Sequence, residues 1–375
     1  MKFKRCKLND LSIDGGSYGI GASAVKYDKK LYTYLRITDI NEDGTLNYKD
    51  MMSVNNPKAN QYILRKNDIC FVRTGNSTGK TYFYDESIEN LVYAGFLIKF
   101  SIDEKKVNPK YVRYYIMTSK YKNWVKEIQT GSTRGNINAK MYGNLEILVP
   151  ERTYQDKLVA VLDKITDKIK YNTQINDNLL KIGFELLKED FNRKIECEVL
   201  SNAIKFVKGK KPLDITLENK EGYEKYLTIA CLNGQELNYA NPKKMVLSNN
   251  DLLMVMDGAS SGEVYYGGQG IVGSTLSRVD CINDNYISEF IYFIMKYYKD
   301  LIQSKNTGSA IPHTDKVFVG TLEVPKLLIE EQEKYKILLY KILQNMNENR
   351  ILSQLRDTLL PKLMNGEIDL DKIEI

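Results

Sequence analysis

The chain states one pattern twice. Thr130-Gly131-Ser132 returns as Thr307-Gly308-Ser309, Gly143-Asn144-Leu145-Glu146-Ile147 as Gly320-Thr321-Leu322-Glu323-Val324, and Gln155 as Gln332, each pair 177 positions apart (307 − 130, 320 − 143, 332 − 155). Upstream the echo continues with a drifting offset, as loop insertions produce. Tyr114-Tyr115-Ile116-Met117 answers Tyr292-Phe293-Ile294-Met295, Asp68-Ile69 answers Asp251-Leu252, and Tyr34-Leu35 answers Tyr226-Leu227. A unit this long exceeds a solenoid period and implies a duplicated domain. Two such copies suggest a pseudo-two-fold arrangement that meets a two-part target or two partners. The 375 residues are enough for two domains with their own cores, dividing near residue 196.

Residues 1–150 carry short strand-like runs such as Tyr32–Ile37, Ile69–Val72 and Ala94–Ile98, punctuated by Gly, Asn and Asp. A helix is expected from Lys110 to about Ile128, after Pro109. From Gln155 the apolar period becomes helical: Leu158, Leu162, Ile165, Ile169, Asn172, Ile175, Leu179, Ile182 and Leu186 step by three or four. The second copy repeats this with Tyr335, Leu339, Ile342, Met346, Asn349, Leu352, Leu355 or Arg356, Leu359 and Leu363. A stripe of this length, roughly 55 to 60 Å of helix, exceeds what one small domain can cover. The two stripes are therefore expected to face each other as an antiparallel coiled coil, with Leu162, Ile165, Asn172, Leu179, Ile342, Met346, Asn349 and Leu359 on the seam. Asn172 and Asn349 fall at equivalent positions, where they either fix the register or turn off the seam to water. The expected fold is α+β, with two homologous α/β domains at 1–150 and 197–325 and spacer helices at 151–196 and 326–375.

A net charge of +6 leans toward a polyanion without requiring one. The five cysteines are widely spaced, odd in number and without a Cys-x-x-Cys, so neither a disulfide framework nor a zinc site is indicated. With no apolar signal core and no run long enough to span a bilayer, the expected location is the cytoplasm, with no membrane partner.

One segment imitates a phosphate-binding loop. Thr74-Gly75-Asn76-Ser77-Thr78-Gly79-Lys80-Thr81 differs from the P-loop pattern only at Thr74, which makes nucleotide binding an alternative. The duplication argues against it, because Asp257-Gly258-Ala259-Ser260-Ser261-Gly262-Glu263 keeps the glycines and places an acid where the lysine would sit. Catalytic constellations are otherwise missing from the sequence. The single histidine, His313, aligns with Asn136, so the copies do not share it, and it reads as a polar loop residue. The chain reads as a binding protein without catalysis, cofactor or metal of its own.

The Thr-Gly-Ser loops are the better candidates, with an ordinary Gly-rich turn as the alternative. Thr130 to Asn136 offers hydroxyls, backbone N–H groups and a guanidinium, a mixture suited to phosphates and base edges. The second copy is polar but different in detail, as two heads reading different half-sites would be. Candidate DNA-contacting residues are Arg73, Ser77, Lys80, Thr130, Ser132, Arg134 and Asn136 in the first copy. In the second they are Lys208, Lys210, Lys211, Ser260, Thr307, Ser309 and His313.

Together these segments resemble the specificity subunits of type I restriction-modification systems. The carriers are Tyr34–Ile40, the Asp68-Ile69 strand with its Gly75/Gly79 loop, the turn from Thr130 through Ile147 to Gln155, and the same order in the second half. Val207–Pro212 resembles the usual opening of a recognition domain, and Leu359–Ile368 the usual ending. Pro325 and Ala230-Cys231-Leu232 depart from the first copy. The resemblance implies a non-catalytic subunit whose two target-recognition domains read a bipartite double-stranded DNA sequence, spaced by the helices. It further implies two methyltransferase subunits using S-adenosylmethionine, and restriction subunits using ATP and Mg, so those cofactors belong to partners. A two-headed scaffold for a protein or glycan is the alternative outside nucleic-acid binding.

Overall fold

A computed structural model describes residues 2–48, 50–130, 135–193, 195–308 and 311–370 of the chain. It divides into two units, Met1–Ile169 with Arg350–Ile375, and Lys170–Asn349. In the first unit the apolar runs pair into two four-stranded sheets. Asp68–Val72 is central in one, antiparallel to Leu97–Ser101 and Thr81–Phe83, with Ser17–Tyr18 on the outer side of Leu97–Ser101. Every residue of Asp68–Val72 is buried, which explains a continuous apolar run where a half-exposed strand would alternate. In the other sheet Tyr32–Leu35 runs parallel to Leu91–Tyr93 and antiparallel to Met52–Val54.

The second unit repeats the first sheet strand for strand, in the order Ile204–Lys208, Leu276–Cys281, Leu252–Val255, Val264–Tyr266. Glu224–Leu227 likewise runs parallel to Gln269–Val272. The duplication reaches individual hydrogen bonds. Oε1 of buried Gln155 accepts from the Asn108 N–H at 2.8 Å while its Nε2 donates to the Pro150 carbonyl at 2.8 Å. Gln332 does the same with the Ile287 N–H at 3.0 Å and the Leu327 carbonyl at 2.9 Å. A buried amide with both ends satisfied ties each sheet domain to the first turns of its long helix.

The helix expected from Lys110 to Ile128 is two helices, Pro109–Tyr115 and Ser119–Thr130. Thr118 makes the break: its hydroxyl donates to the Tyr115 carbonyl at 2.7 Å and accepts from the Tyr121 N–H at 3.4 Å. A hydroxyl bonding locally to the backbone competes with helix continuation and favours a helix start.

The two long helices are Arg152–Asn192 and Ile329–Met364. Within the first unit, Leu158 and Leu162 share a core with Leu360 and Leu363, Leu359 packs against it, and Ile165 is buried. The Tyr154 hydroxyl donates to the Leu363 carbonyl at 2.8 Å. Within the second unit the paired segments run antiparallel, as Asn172 meets Asn349, Asn176 meets Asn345 and Asp190 meets Lys334. There Leu179 and Ile342 belong to the core around Leu187, Tyr335 and Leu339.

Asn172 faces the seam, at 1% exposure, and donates to Asn349 Oδ1 at 2.9 Å and Glu348 Oε2 at 2.8 Å. One correction concerns Met346, which is 53% exposed and lies off the seam. The buried position is Asn345, whose Nδ2 donates to Asn176 Oδ1 at 2.8 Å. Ile175 and Ile182, also expected on the stripe, are exposed, and of the alternatives Leu355 and Arg356 the first is exposed while the second is largely covered. In the second unit the seam beside Asn172 is therefore polar, with Asn172, Asn176, Asn345 and Asn349 bonded across it.

Candidate nucleic-acid interface

A strand that ends in a tight glycine loop builds each candidate site. In the first unit the Val72 N–H donates to the Lys80 carbonyl at 2.9 Å and the Gly79 N–H to the Val72 carbonyl at 3.0 Å. In the second the Val255 N–H donates to the Glu263 carbonyl at 2.8 Å and the Gly262 N–H to the Val255 carbonyl at 3.0 Å. Inside the loops, the N–H groups and hydroxyls of Thr78 and Ser261 turn back to the carbonyls of Gly75 and Gly258. Gly79 and Gly262 sit at φ of 93° and 89°, a conformation L side chains rarely adopt.

This geometry removes the nucleotide reading. A P-loop needs free N–H donors around the phosphate and a helix behind them. Here the N–H groups of residues 78, 79 and 80 bond to the chain's own carbonyls, and strand Thr81–Phe83 follows.

Three duplicated backbone bonds place matching side chains around the loop. The Gly19 N–H donates to Leu97 O at 3.2 Å and the Gly209 N–H to Leu276 O at 3.0 Å, which makes Tyr18 the counterpart of Lys208. The Arg73 N–H donates to Phe96 O at 3.1 Å and the Met256 N–H to Thr275 O at 2.8 Å. The Ile137 N–H donates to Arg73 O at 3.0 Å and the Thr314 N–H to Met256 O at 2.8 Å, which brings Asn136 toward Thr74 and His313 toward Asp257. One frame thus carries Tyr18, Arg73, Thr74 and Asn136 in the first head, and Lys208, Met256, Asp257 and His313 in the second.

The chemistry of the two sets differs. The Arg73 guanidinium lies 4.9 Å from the Tyr18 ring centroid, and its buried Nε has no hydrogen-bond partner among the described residues. A guanidinium stacked on an aromatic face is stiffened in a plane suited to paired contacts with a phosphate or guanine. In the second head the cation is Lys208, whose Nζ is 3.9 Å from Asp257 Oδ2, while Asp257 Oδ1 is 2.7 Å from His313 Nδ1.

Charge is also exchanged behind the loops. Lys80 is 20% exposed and pairs with Glu42 at 2.9 Å. Its counterpart Glu263, 18% exposed, pairs with both Lys296 and Lys299. Burial pushes the Glu263 carboxyl up, but the two ammonium groups outweigh it and hold the group below its ordinary value.

The remaining expected contacts are scattered. Ser77 and Ser260 sit half-buried in the loops, where their carbonyls accept from the N–H groups of Lys80 and Glu263. Thr130 ends a helix, its hydroxyl turned to the Lys126 and Glu127 carbonyls. Thr307 is exposed and pairs through its backbone with His313, and Lys210 and Lys211 are exposed beyond Gly209. Ser132, Arg134 and Ser309 lie outside the described residues. Tyr18 and Asp257 are additions that the sequence reading did not single out. Alignment of Asp257 with Thr74 pointed to the acid, whereas nothing local marked Tyr18, whose role depends on strand pairing. Among the described residues no group of His, Cys, Asp and Glu could hold a metal ion, and no helix is long and apolar enough to cross a membrane. The arrangement suits binding of anionic, hydrogen-bonding ligands.

Comparison with known proteins gives a consistent result. The family described as Type I restriction modification DNA specificity domain matches residues 3–181 and 200–357. The chain is 29% identical over 138 residues to the Type I restriction enzyme MjaVIII specificity subunit of Methanocaldococcus jannaschii, which is 36% of this chain and 32% of that protein. That match therefore spans about a third of that relative. The chain is 23% identical over 449 aligned positions to the Type I restriction enzyme HindI specificity subunit of Haemophilus influenzae, covering 89% of this chain and 95% of that protein. In fold it is similar to the crystallised S subunit of a type I restriction-modification system from M. genitalium, with a TM-score of 0.53 and 17% identity over 97% of this chain and 96% of the other.

Proposed function

Because this chain belongs to the type I restriction modification DNA specificity domain family, we propose that it is the DNA-reading subunit of a type I restriction-modification complex. Each head contacts one half of a bipartite double-stranded target through the frame around its glycine loop. The observation that carries this reading is the repetition of the frame with altered polar tips, Arg73 on Tyr18 in one head and Lys208 with Asp257 and His313 in the other. A shared scaffold with divergent tips is what two half-site readers of different sequence need, since base edges are distinguished by the side chains presented to them.

Catalysis then lies with partners. Two methyltransferase subunits dock on the long helices, and they and the restriction subunits carry S-adenosylmethionine, ATP and Mg. Tyr171, Ile175, Ile337 and Tyr340 support this as large apolar side chains exposed on helical segments of the second unit, a surface type that marks protein contacts. The assembly works in the cytoplasm, where its DNA lies.

Methylome sequencing of a host carrying the chain with its methyltransferase partner tests the reading. The expected outcome is adenine methylation at a split motif, one half of which changes when residues 208–211 and 257–263 are exchanged for those of another family member. A contiguous motif, or a change in both halves, would refute the assignment of one half per head.

A further inference from the structure

The second head contains the chain's single histidine at a place where the first head has a neutral amide. The matched bonds from Ile137 to Arg73 and from Thr314 to Met256 put Asn136 and His313 at the same point of the frame. Beside them stand Thr74 and Asp257. His313 is anchored three ways. Its backbone forms two bonds with Thr307, at 2.9 and 2.7 Å. Its Nδ1 meets Asp257 Oδ1 at 2.7 Å. Gly308, at φ of 89°, lies so close that a Cβ there would come within 3.0 Å of the ring. With Nδ1 engaged and the side chain 50% exposed, Nε2 is the ring nitrogen left to meet a ligand.

Asp257 is an unusual neighbour for a polyanion, since a carboxylate facing phosphates is repulsive unless neutralised. Three charged groups besides Asp257 stand near the ring among the described residues. Lys208 approaches Asp257 from the adjoining strand at 3.9 Å. On the histidine's own segment Asp315 turns its carboxylate to the N–H groups of Val317 and Phe318, and Lys316 lies over the Phe206 ring. A proton on His313 completes the neutralisation of Asp257 and gives Nε2–H a phosphate or base acceptor.

Resting on the DNA-reading function above, we propose that His313, held by Asp257, is a specificity-determining contact of the second head and takes up a proton as the duplex binds. The first head, with Asn136 beside Thr74, binds without changing charge. The linkage has a definite sign. Binding that favours the imidazolium is strongest at low pH and weakens as pH rises.

The single histidine makes a clean test. The full chain, labelled at histidine Cε1, is titrated with duplex carrying the site found by methylome sequencing, and affinity is measured at acidic and at mildly alkaline pH. The expected results are a titration midpoint that moves to higher pH on adding duplex, and an affinity that falls about threefold to tenfold between the two conditions. His313→Asn together with Asp257→Thr recreates the first head's pair and should flatten the pH profile while the melting temperature stays within a few degrees. His313→Gln alone serves if the double variant misfolds. An unmoved midpoint, or the same pH dependence in these variants, overturns the proposal and leaves the DNA-reading function standing. No binding to any duplex at either pH overturns both.

Discussion

The two heads agree in backbone and disagree in side chains. The loop closure, the strand partners and the buried glutamine recur bond for bond. Side chains carried by the frame differ, Tyr18 against Lys208, Arg73 against the buried Met256, Asn136 against His313, while Ser77 and Ser260 stay alike. Even charge behind the loop is inverted, Lys80 paired with Glu42 of a turn and Glu263 paired with two helix-side lysines. A frame satisfied by its own backbone bonds does not depend on its tips, which leaves them free to diverge.

The sharpest way to break this comparison is to load the frame. Gly79→Ala places a methyl group 2.5 Å from Val125 Cγ1 at a φ of 93°, whereas Gly262→Ala meets Ile302 Cγ2 at 3.0 Å. Both need a backbone that alanine disfavours, and the tighter site should lose about 3 kcal/mol against about 1 to 2 for the looser one. Thermal unfolding of the two variants measures the gap, and equal losses would mean that contact distance is not what separates the heads.

Next in size is the buried charge. Glu263→Gln removes the carboxylate that Lys296 and Lys299 share and should cost about 2 kcal/mol. Lys80→Met removes a partner of exposed Glu42 and a long bond to the Ile40 carbonyl at 3.5 Å, at about 0.5 to 1 kcal/mol. Because the folded-state carboxyl of Glu263 lies below its ordinary 4.5, its contribution is full above that value and is lost as pH falls through the depressed one. Acid unfolding of the wild type should therefore converge on that of Glu263→Gln at low pH.

The smallest effect concerns the tips alone. Arg73→Ala should weaken duplex binding about tenfold and flatten its salt dependence with little loss of stability, while Met256→Leu, an apolar swap at the buried equivalent position, should leave affinity unchanged. Equal losses in binding would show that the stacked guanidinium is not a contact.

How far the sequence already revealed this depended on range. The constant spacing around Gln155 and Gln332 and the helical period were local and survived into the structure as paired strands and two long helices. The seam was readable only to within one position, because a step from Ile342 to Met346 and a step from Ile342 to Asn345 both fit a helical stripe. The apolar residue drew the eye and the buried one was polar. The break at Thr118 carried no Gly or Pro, only a hydroxyl whose capping role depends on its partners. Tyr18 and Lys208 lie at a different offset from the loops they serve, so their equivalence emerges only when strands pair.

Gln155 and Gln332 also govern where compliance resides. Swinging either sheet domain against its own helix would strand buried donors and acceptors, at about 1–3 kcal/mol for each group. Smooth bending of a short stretch of duplex costs on the order of 1–6 kcal/mol and varies with the base steps being bent. Under the DNA-reading function proposed above, a joint no softer than the duplex would leave the nucleic acid to absorb much of any misfit, and base pairs that no side chain reaches would then influence affinity through their own stiffness.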